Sequence, residues 1–296
     1  MAPTQNPSHS TTGPASDILN RIECALEAAR LVASQFVAGS VKAERKASDR
    51  TLITEADRSV NRTLREVLLR DQEGWLSEED LDNPQRLQAH RVWIVDPLDG
   101  TKEFVAGIPE WCISVAMIED GVASAGGVCN PATGEIFLGS RENGVTYNGK
   151  PVRASDRSGL EGAEVLASRS ETERGDWKRF ERASLAVRPM GSVAYKLARV
   201  SAGLADATWT LSPKNEWDVA AGVALVEAAG GCVGFLPDIR PTFNNKKTLF
   251  PGLFACGPHL KDQISSLLEP PQSPFVSGFP CPGGIYSAKF AKLSRK

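Results

Sequence analysis

The chain predicts an α/β protein with helices layered on β-sheet, and three observations predict it. Apolar residues recur at helical spacing near 17–33, 57–68 and 217–229. Short apolar runs stop abruptly at acidic residues, Trp75-Leu76-Ser77 before Glu78 and Arg91–Val95 before Asp96. Between Trp111 and Tyr147, brief β-patterned segments are punctuated by turn dipeptides.

Residues 1–16 are rich in proline, serine and threonine and are expected to form a flexible tail; without an apolar core they do not read as a signal peptide. A helix is expected from about Asp17, with Ile18, Ile22, Leu26, Ala29 and Ala33 on one face. A polar connection, Lys42 to Arg50, leads to Thr51–Asp57, where Thr54 or Asp57 opens a second helix carrying Val60, Leu64 and Leu68. Strands are expected at Trp75–Ser77, Arg91–Val95, Ile113–Ile118, Ala123–Val128 and Glu135–Gly139. Asp120-Gly121, Asn130-Pro131 and Thr133-Gly134 separate the later ones, and Gly144–Lys150 adds a strand and tight turn.

The second half opens with a strand at Val165–Ser168 and a helix at Trp177–Ala183. After Gly191-Ser192 a helix is expected over Val193–Gly203, then a strand over Ala207–Leu211. Trp217-Asp218 starts a long apolar helix that ends at Ala229, closed by Gly230-Gly231. Phe254–Gly257 and a helix ending near Leu268 complete the pattern. The expected division is a tail over 1–16, an α+β metal-binding half over 17–155, an α/β substrate-binding half over 156–268, and a Pro/Gly/Ser-rich tail over 269–296.

At 296 residues and 41% hydrophobic, the chain can bury a sizeable core. Its net charge of −2, from 34 basic and 36 acidic side chains, supplies no general attraction for nucleic-acid polymers or anionic membranes. No apolar stretch is long enough to span a bilayer. The six cysteines (24, 112, 129, 232, 256, 281) lack metal-pair spacing and form no dense framework. A cytoplasmic, soluble protein is expected, monomeric or homodimeric.

The chemistry concentrates in Trp93–Phe104. Pro97 holds Asp96 extended and Gly100 permits a close turn, so Asp96, Asp99, the Leu98 carbonyl and Thr101 can face one small volume. If a helix follows, the Gly100 and Thr101 N–H groups face a phosphate. Hard oxygen donors of this kind suit Mg²⁺. Glu78 is favoured over Glu79 as the inward side chain of the preceding strand end. Asp57 and Asp218 each admit two roles, helix cap or metal carboxylate. Together Glu78, Asp96, Asp99, Leu98 and Asp218 would form adjacent Mg²⁺ sites, with Asp57 assisting another, for two or three ions in all. Glu78 and Thr101 would orient or deprotonate a water for in-line attack on phosphorus. His9, His90 and His259 are sparse, and no nucleophilic histidine or cysteine stands out.

Four pieces resemble a known superfamily: Leu52–Asp57, Ser77–Asp80, Trp93–Phe104 and Trp217–Gly222. Their order and separation are similar to those of the lithium-sensitive, Mg²⁺-dependent phosphatases that include inositol monophosphatases and 3′(2′),5′-bisphosphate nucleotidases. The resemblance spans about residues 17 to 268. It implies a layered α/β/α/β/α architecture, phosphomonoester hydrolysis and inhibition by lithium. It also implies metal carboxylates at Asp57, Glu78, Asp96, Asp99 and Asp218, and a water-orienting hydroxyl at Thr101.

Thr101-Lys102-Glu103-Phe104 and Gly191–Lys196 look like the nucleotidase (CysQ-like) form. On that resemblance Gly191, Ser192 and Lys196 approach the substrate, Lys196 meets a second phosphate, and the leading expectation is hydrolysis of adenosine 3′,5′-bisphosphate to AMP. Two departures favour the alternative, an inositol or broader sugar-phosphate phosphatase. The glycine-serine loop is one residue longer, and Thr210 stands where many bacterial nucleotidases carry arginine.

Overall fold

The structure, a computed structural model, describes residues 14–46, 51–235 and 241–269. Of the tails expected at 1–16 and 269–296, residues 1–13 and 270–296 lie outside the described residues. The first half contains α1 (Pro14–Ala33), β1 (Ala43–Arg45), β2 (Leu52–Thr54), α2 (Glu55–Leu68), β3 (Gly74–Ser77) and β4 (Arg91–Asp99). It continues with α3 (Thr101–Val105), β5 (Cys112–Glu119), β6 (Val122–Asn130), β7 (Glu135–Ser140), β8 (Gly144–Tyr147) and β9 (Lys150–Val152). The second half contains β10 (Glu164–Ser168), α4 (Arg169–Glu173), β11 (Ala186–Met190), α5 (Val193–Ser201), β12 (Ala207–Thr210) and β13 (Lys214–Asn215). Then come α6 (Glu216–Ala228), β14 (Cys232–Phe235), β15 (Leu249–Phe250), β16 (Leu253–Cys256) and α7 (Lys261–Leu268).

Two sheets organise these elements. The larger has seven strands in the order β3-β4-β5-β6-β7-β8-β9, antiparallel except for the β3–β4 pair. The smaller runs β11-β10-β12-β16-β14. Alternation along β4 shows how the layers form. Trp93 and Val95 face a core built with α1 and α2, while Val92 and Ile94 face one built with α5 and α6. The smaller sheet repeats the device. Leu166, Leu253 and Ala255 face α5 and α6, whereas Val165, Ala167 and Trp209 face α7 and a 3-10 helix at Asp176–Ala183. The result is an α/β/α/β/α stack, as expected.

The middle layer explains why α6 is apolar on nearly every side: it is sandwiched between sheets. Close approach there requires glycine. A Cβ at Gly126 would lie 2.6 Å from the Ala221 carbonyl, and one at Gly222 would lie 2.4 Å from Leu197 Cβ.

Several boundaries differ from expectation. The first helix starts at Pro14, where proline suits an opening turn. The segment over Trp177–Ala183 is a 3-10 helix, not an α-helix. β1 lies inside the expected polar connection and pairs antiparallel with β2 just beyond it. β11, β14 and the β13–β15 ribbon were unforeseen, since each is short and lacks alternating apolar residues.

Candidate metal and phosphate site

The site forms where β3, β4 and α6 end together. β3 and β4 are parallel, so Glu78 follows its strand beside the Asp96 end of β4. In a regular strand Asp96 and Asp99, three residues apart, would face opposite sides of the sheet. The β4–β5 register removes that obstacle. Asp96 pairs with Ser114 and Asp99 with Cys112, so three steps on β4 match two on β5. This bulge adds one residue and turns both carboxylates toward the same cavity. Pro97, which has no N–H to donate, sits in the interruption.

Gly100 then adopts φ +98°, and a Cβ there would lie 2.9 Å from the Glu110 carbonyl. Leu98 buries its side chain under α1 and α2 while its carbonyl accepts from Thr101 Oγ1 at 3.1 Å.

Glu78, Asp96, Leu98, Asp99, Gly100, Thr101 and Asp218 line one cavity of about 550 Å³. Carboxylate oxygens of Glu78, Asp96 and Asp218 lie within 4.8 Å of one another. Burial, reinforced by the neighbouring negative charges, raises the Asp96 pKa well above the ordinary carboxylate range. Burial first, and then Asp99, pushes Asp218 up to about 8 against the opposing pull of Lys214. Glu78 is also raised by burial, although the Lys46 ammonium works against the shift. Three acceptor-only groups thus share a point with too little positive charge. That donor set fits a hard divalent cation such as Mg²⁺, which prefers oxygen.

Asp57 is placed differently. Its Oδ2 accepts from the Thr54 N–H at 2.7 Å and the Thr54 hydroxyl at 2.5 Å, closing a capping box at the start of α2. Its other oxygen lies 3.2 Å from Thr101 Oγ1. Asp57 therefore combines the cap with a link to Thr101. Asp218 forms the equivalent box on α6, accepting from Asn215 N–H at 2.9 Å. Asp99 uses Oδ2 to accept from the Ser192 hydroxyl at 2.7 Å and the Ala194 N–H at 2.6 Å.

The residues expected near a second phosphate do not join the cavity in the expected way. Lys196 is buried, and its ammonium donates to the Ser192 carbonyl at 2.9 Å, with the Met190 and Gly191 carbonyls at 3.3 and 3.5 Å. Burial lowers its pKa to about 8. Ser192 caps α5 and holds Asp99. The Gly191 N–H donates to Glu110 Oε2 at 2.8 Å. Thr210 turns its hydroxyl to Glu171 at 2.6 Å. Gly191, Ser192 and Lys196 thus hydrogen-bond within the loop and to neighbouring strands, as does Thr210, the residue that departs from the nucleotidase pattern.

Sequence reasoning overlooked Lys46. It bridges Glu78 at 2.8 Å and Glu79 at 2.7 Å, and burial with Lys46 opposing leaves Glu79 at about 7. Its signal was the basic run Arg45-Lys46 inside what looked like a polar connection. Arg45, Lys102 and Lys214 also line the cavity, as do Ser170 and Glu103.

A carboxylate-lined cavity between strand ends and helix starts, with basic side chains at its wall, suits a divalent cation beside a phosphate, and the family match makes the class a metal-dependent phosphatase of layered α/β fold. Residues 16–264 match the model of the inositol monophosphatase family, and the chain belongs to that family. It is 33% identical over 195 residues to a fructose-1,6-bisphosphatase/inositol-1-monophosphatase of Thermotoga maritima, covering 64% of this chain and 73% of that one. It is 37% identical over 190 residues to an inositol-1-monophosphatase of Rhizobium meliloti, covering 60% and 70%. The solved CysQ of Bacteroides thetaiotaomicron shares the fold, with TM-score 0.67 and 24% identity, over 81% of this chain and 97% of that one. No described helix is long and apolar enough to cross a membrane.

Proposed function

We propose that this chain is a Mg²⁺-dependent phosphomonoesterase for small phosphorylated polyols or sugars of the inositol-phosphate class. The observation that carries this reading is the meeting of Glu78, Asp96 and Asp218 within 4.8 Å in the cavity that Asp99 and Thr101 also line. Glu78, Asp96, Asp99, Asp218 and the Leu98 carbonyl would hold the metal. When bound, it supplies Lewis-acid charge for the phosphoryl oxygens and eases ionisation of water.

The chain's own groups handle the rest. Thr101 Oγ1 stands between Asp57 Oδ1 and the Leu98 carbonyl and can donate to only one at a time. Donating to Asp57 frees its lone pairs to accept from an attacking water; Asp57 or Glu78 then takes up the proton. Both are raised chiefly by burial, which favours proton uptake. Arg45, Lys102 and Lys214 supply positive charge for the phosphate dianion. The described histidines, His90 and His259, are exposed, and burial raises the Cys112 thiol far from nucleophilic range. Direct attack by water is therefore favoured over a covalent enzyme intermediate.

The same three cations support a second reading, hydrolysis of a 3′(2′),5′-bisphosphate nucleotide, because they offer charge for two phosphates. Against it, Lys196 and Thr210 are occupied within the protein. Phosphate release in Mg²⁺ should be compared for myo-inositol 1-phosphate, fructose 1,6-bisphosphate and adenosine 3′,5′-bisphosphate. A kcat/KM at least tenfold higher for inositol or sugar phosphate is expected. A reversed preference would select the second reading, and release from none would reject both.

A further inference from the structure

One carboxylate on the cavity wall accepts no hydrogen bond from another described residue, its ion pair being a long one to Arg169. Glu103 lies in α3, four residues beyond Asp99, and only 6% of its surface is exposed. Arg169 Nε stays 3.9 Å away, outside hydrogen-bonding range, and that nitrogen is itself buried without an acceptor. Arg169 turns Nη2 to Glu110 Oε2 at 2.5 Å instead, and the Gly191 N–H donates to the same oxygen. Apart from its own backbone N–H, no described group donates a hydrogen bond to Glu103, and burial, opposed by that N–H and reinforced by Asp99, raises its pKa above the ordinary carboxylate value. Gly191 helps place it. A Cβ there would lie 2.4 Å from Glu103 Cγ and 2.8 Å from Oε1, so the carboxyl group is packed against bare backbone.

We propose that Glu103 is a specificity-determining residue that accepts hydrogen bonds from hydroxyl groups on the alcohol portion of the substrate. The inference rests on the polyol-phosphate reading above and names the group that recognises the polyol. An ionised carboxylate only accepts hydrogen bonds, so its ligand must bring donors. Phosphate brings none and is repelled by the charge. The wall therefore divides by chemistry, with Arg45, Lys102 and Lys214 suited to phosphate and Glu103 suited to hydroxyls. Glu103 stands outside the three-carboxylate cluster of Glu78, Asp96 and Asp218, which separates this role from metal binding. A buried acceptor left unmatched is costly, so a substrate lacking hydroxyls is disfavoured relative to one that has them.

The test uses the full chain with saturating Mg²⁺ and two substrates, myo-inositol 1-phosphate and p-nitrophenyl phosphate, whose leaving group carries no further hydroxyl. Glu103→Met keeps the volume and removes the acceptor. KM for inositol phosphate should rise roughly 10- to 100-fold, while KM for p-nitrophenyl phosphate should stay within about twofold. Glu103→Gln, which retains one acceptor oxygen, should recover part of the loss. Mg²⁺ affinity measured by calorimetry should not change. Equal loss on both substrates, weakened Mg²⁺ binding, or no change on either would overturn the inference while leaving the phosphatase reading intact. If wild type releases phosphate from neither substrate, that reading fails and this one with it. Should Glu103→Met not fold, Gly191→Ala displaces the carboxyl group without removing it, and the same split in KM is expected; its absence would count equally against the role.

Discussion

The two sides of the cavity treat polar groups in opposite ways. Where β3, β4 and α6 meet, carboxylates gather against their own repulsion, and Asp96 and Asp218 are both driven toward protonation. Around the start of α5 and the end of β12, the polar side chains are held by protein partners, with Trp209 Nε1 the exception. Lys196 holds carbonyls, Ser192 holds Asp99, and Thr210 holds Glu171. The clustered carboxylates do have donors, from Lys46 and from the Leu98 and Asn215 N–H groups, yet they crowd one another with like charge, and that excess charge marks where a cation is needed. The satisfied side is scaffolding that fixes one wall of the site.

The largest test of this contrast removes a charge from the strained side. Asp96→Asn should lower kcat/KM on the order of 10³-fold by weakening metal binding. It should also raise the melting temperature of the metal-free protein by a few degrees, because a buried like charge disappears. Wild type should gain stability when Mg²⁺ is added, and the variant should gain much less. Calorimetric melts with Mg²⁺ and with chelator read all of this. An Asn variant that is less stable without metal, yet shifts normally with it, would contradict the repulsion.

The complementary test strikes the satisfied side. Glu171 is buried and accepts from Thr210 Oγ1, the Leu211 and Ser212 N–H groups, and Trp177 Nε1 at 3.2 Å. Burial alone would raise its pKa, but these donors outweigh burial and hold it below 4.5. Glu171→Leu leaves several donors orphaned and should cost about 3 kcal/mol of stability. The pH sign follows from the lowered value. The unfolded state binds the extra proton first, so the stabilisation is complete above about pH 4.5 and declines as pH falls through the folded value. Urea unfolding at pH 7 and pH 3 should show the wild-type advantage shrinking; a gap unchanged with pH would mean that the carboxylate charge is irrelevant.

The same contrast explains what could be read from sequence. Elements with strong periodicity, such as α2 with Val60, Leu64 and Leu68, follow directly from their spacing because burial repeats with the helix. The acidic residues were legible because strand ends and helix starts give them predictable positions. Their convergence depended on a bulge that only the β4–β5 register reveals. The hydrogen bonds of Lys196 to backbone carbonyls were not legible for a different reason. A lysine on a helix after a glycine-serine loop resembles an anion ligand, and sequence carries no sign that its chain will fold back onto carbonyls. Lys46 was hidden because the partner strands of its ribbon are three residues each, too short for a pattern.

Lys196 gives the smallest expected effect and the sharpest division between scaffold and site. Its ammonium is nine-tenths or more buried, and burial moves its pKa from the ordinary 10.5 to about 8. Between those two values the unfolded chain binds a proton that the folded protein has released, so this residue makes stability rise with pH across that window. Lys196→Met should abolish that component of the rise. At pH 7 two effects oppose each other: the variant loses hydrogen bonds to carbonyls but no longer buries a charge, so the net change should be about 1 kcal/mol. A scaffolding lysine should alter kcat/KM for inositol phosphate and bisphosphonucleotide by similar factors, since the loop position changes for both. Selective loss on the bisphosphate would move Lys196 into the substrate site and reverse the comparison, because the ammonium would then have to leave the Ser192 carbonyl whenever the second phosphate bound.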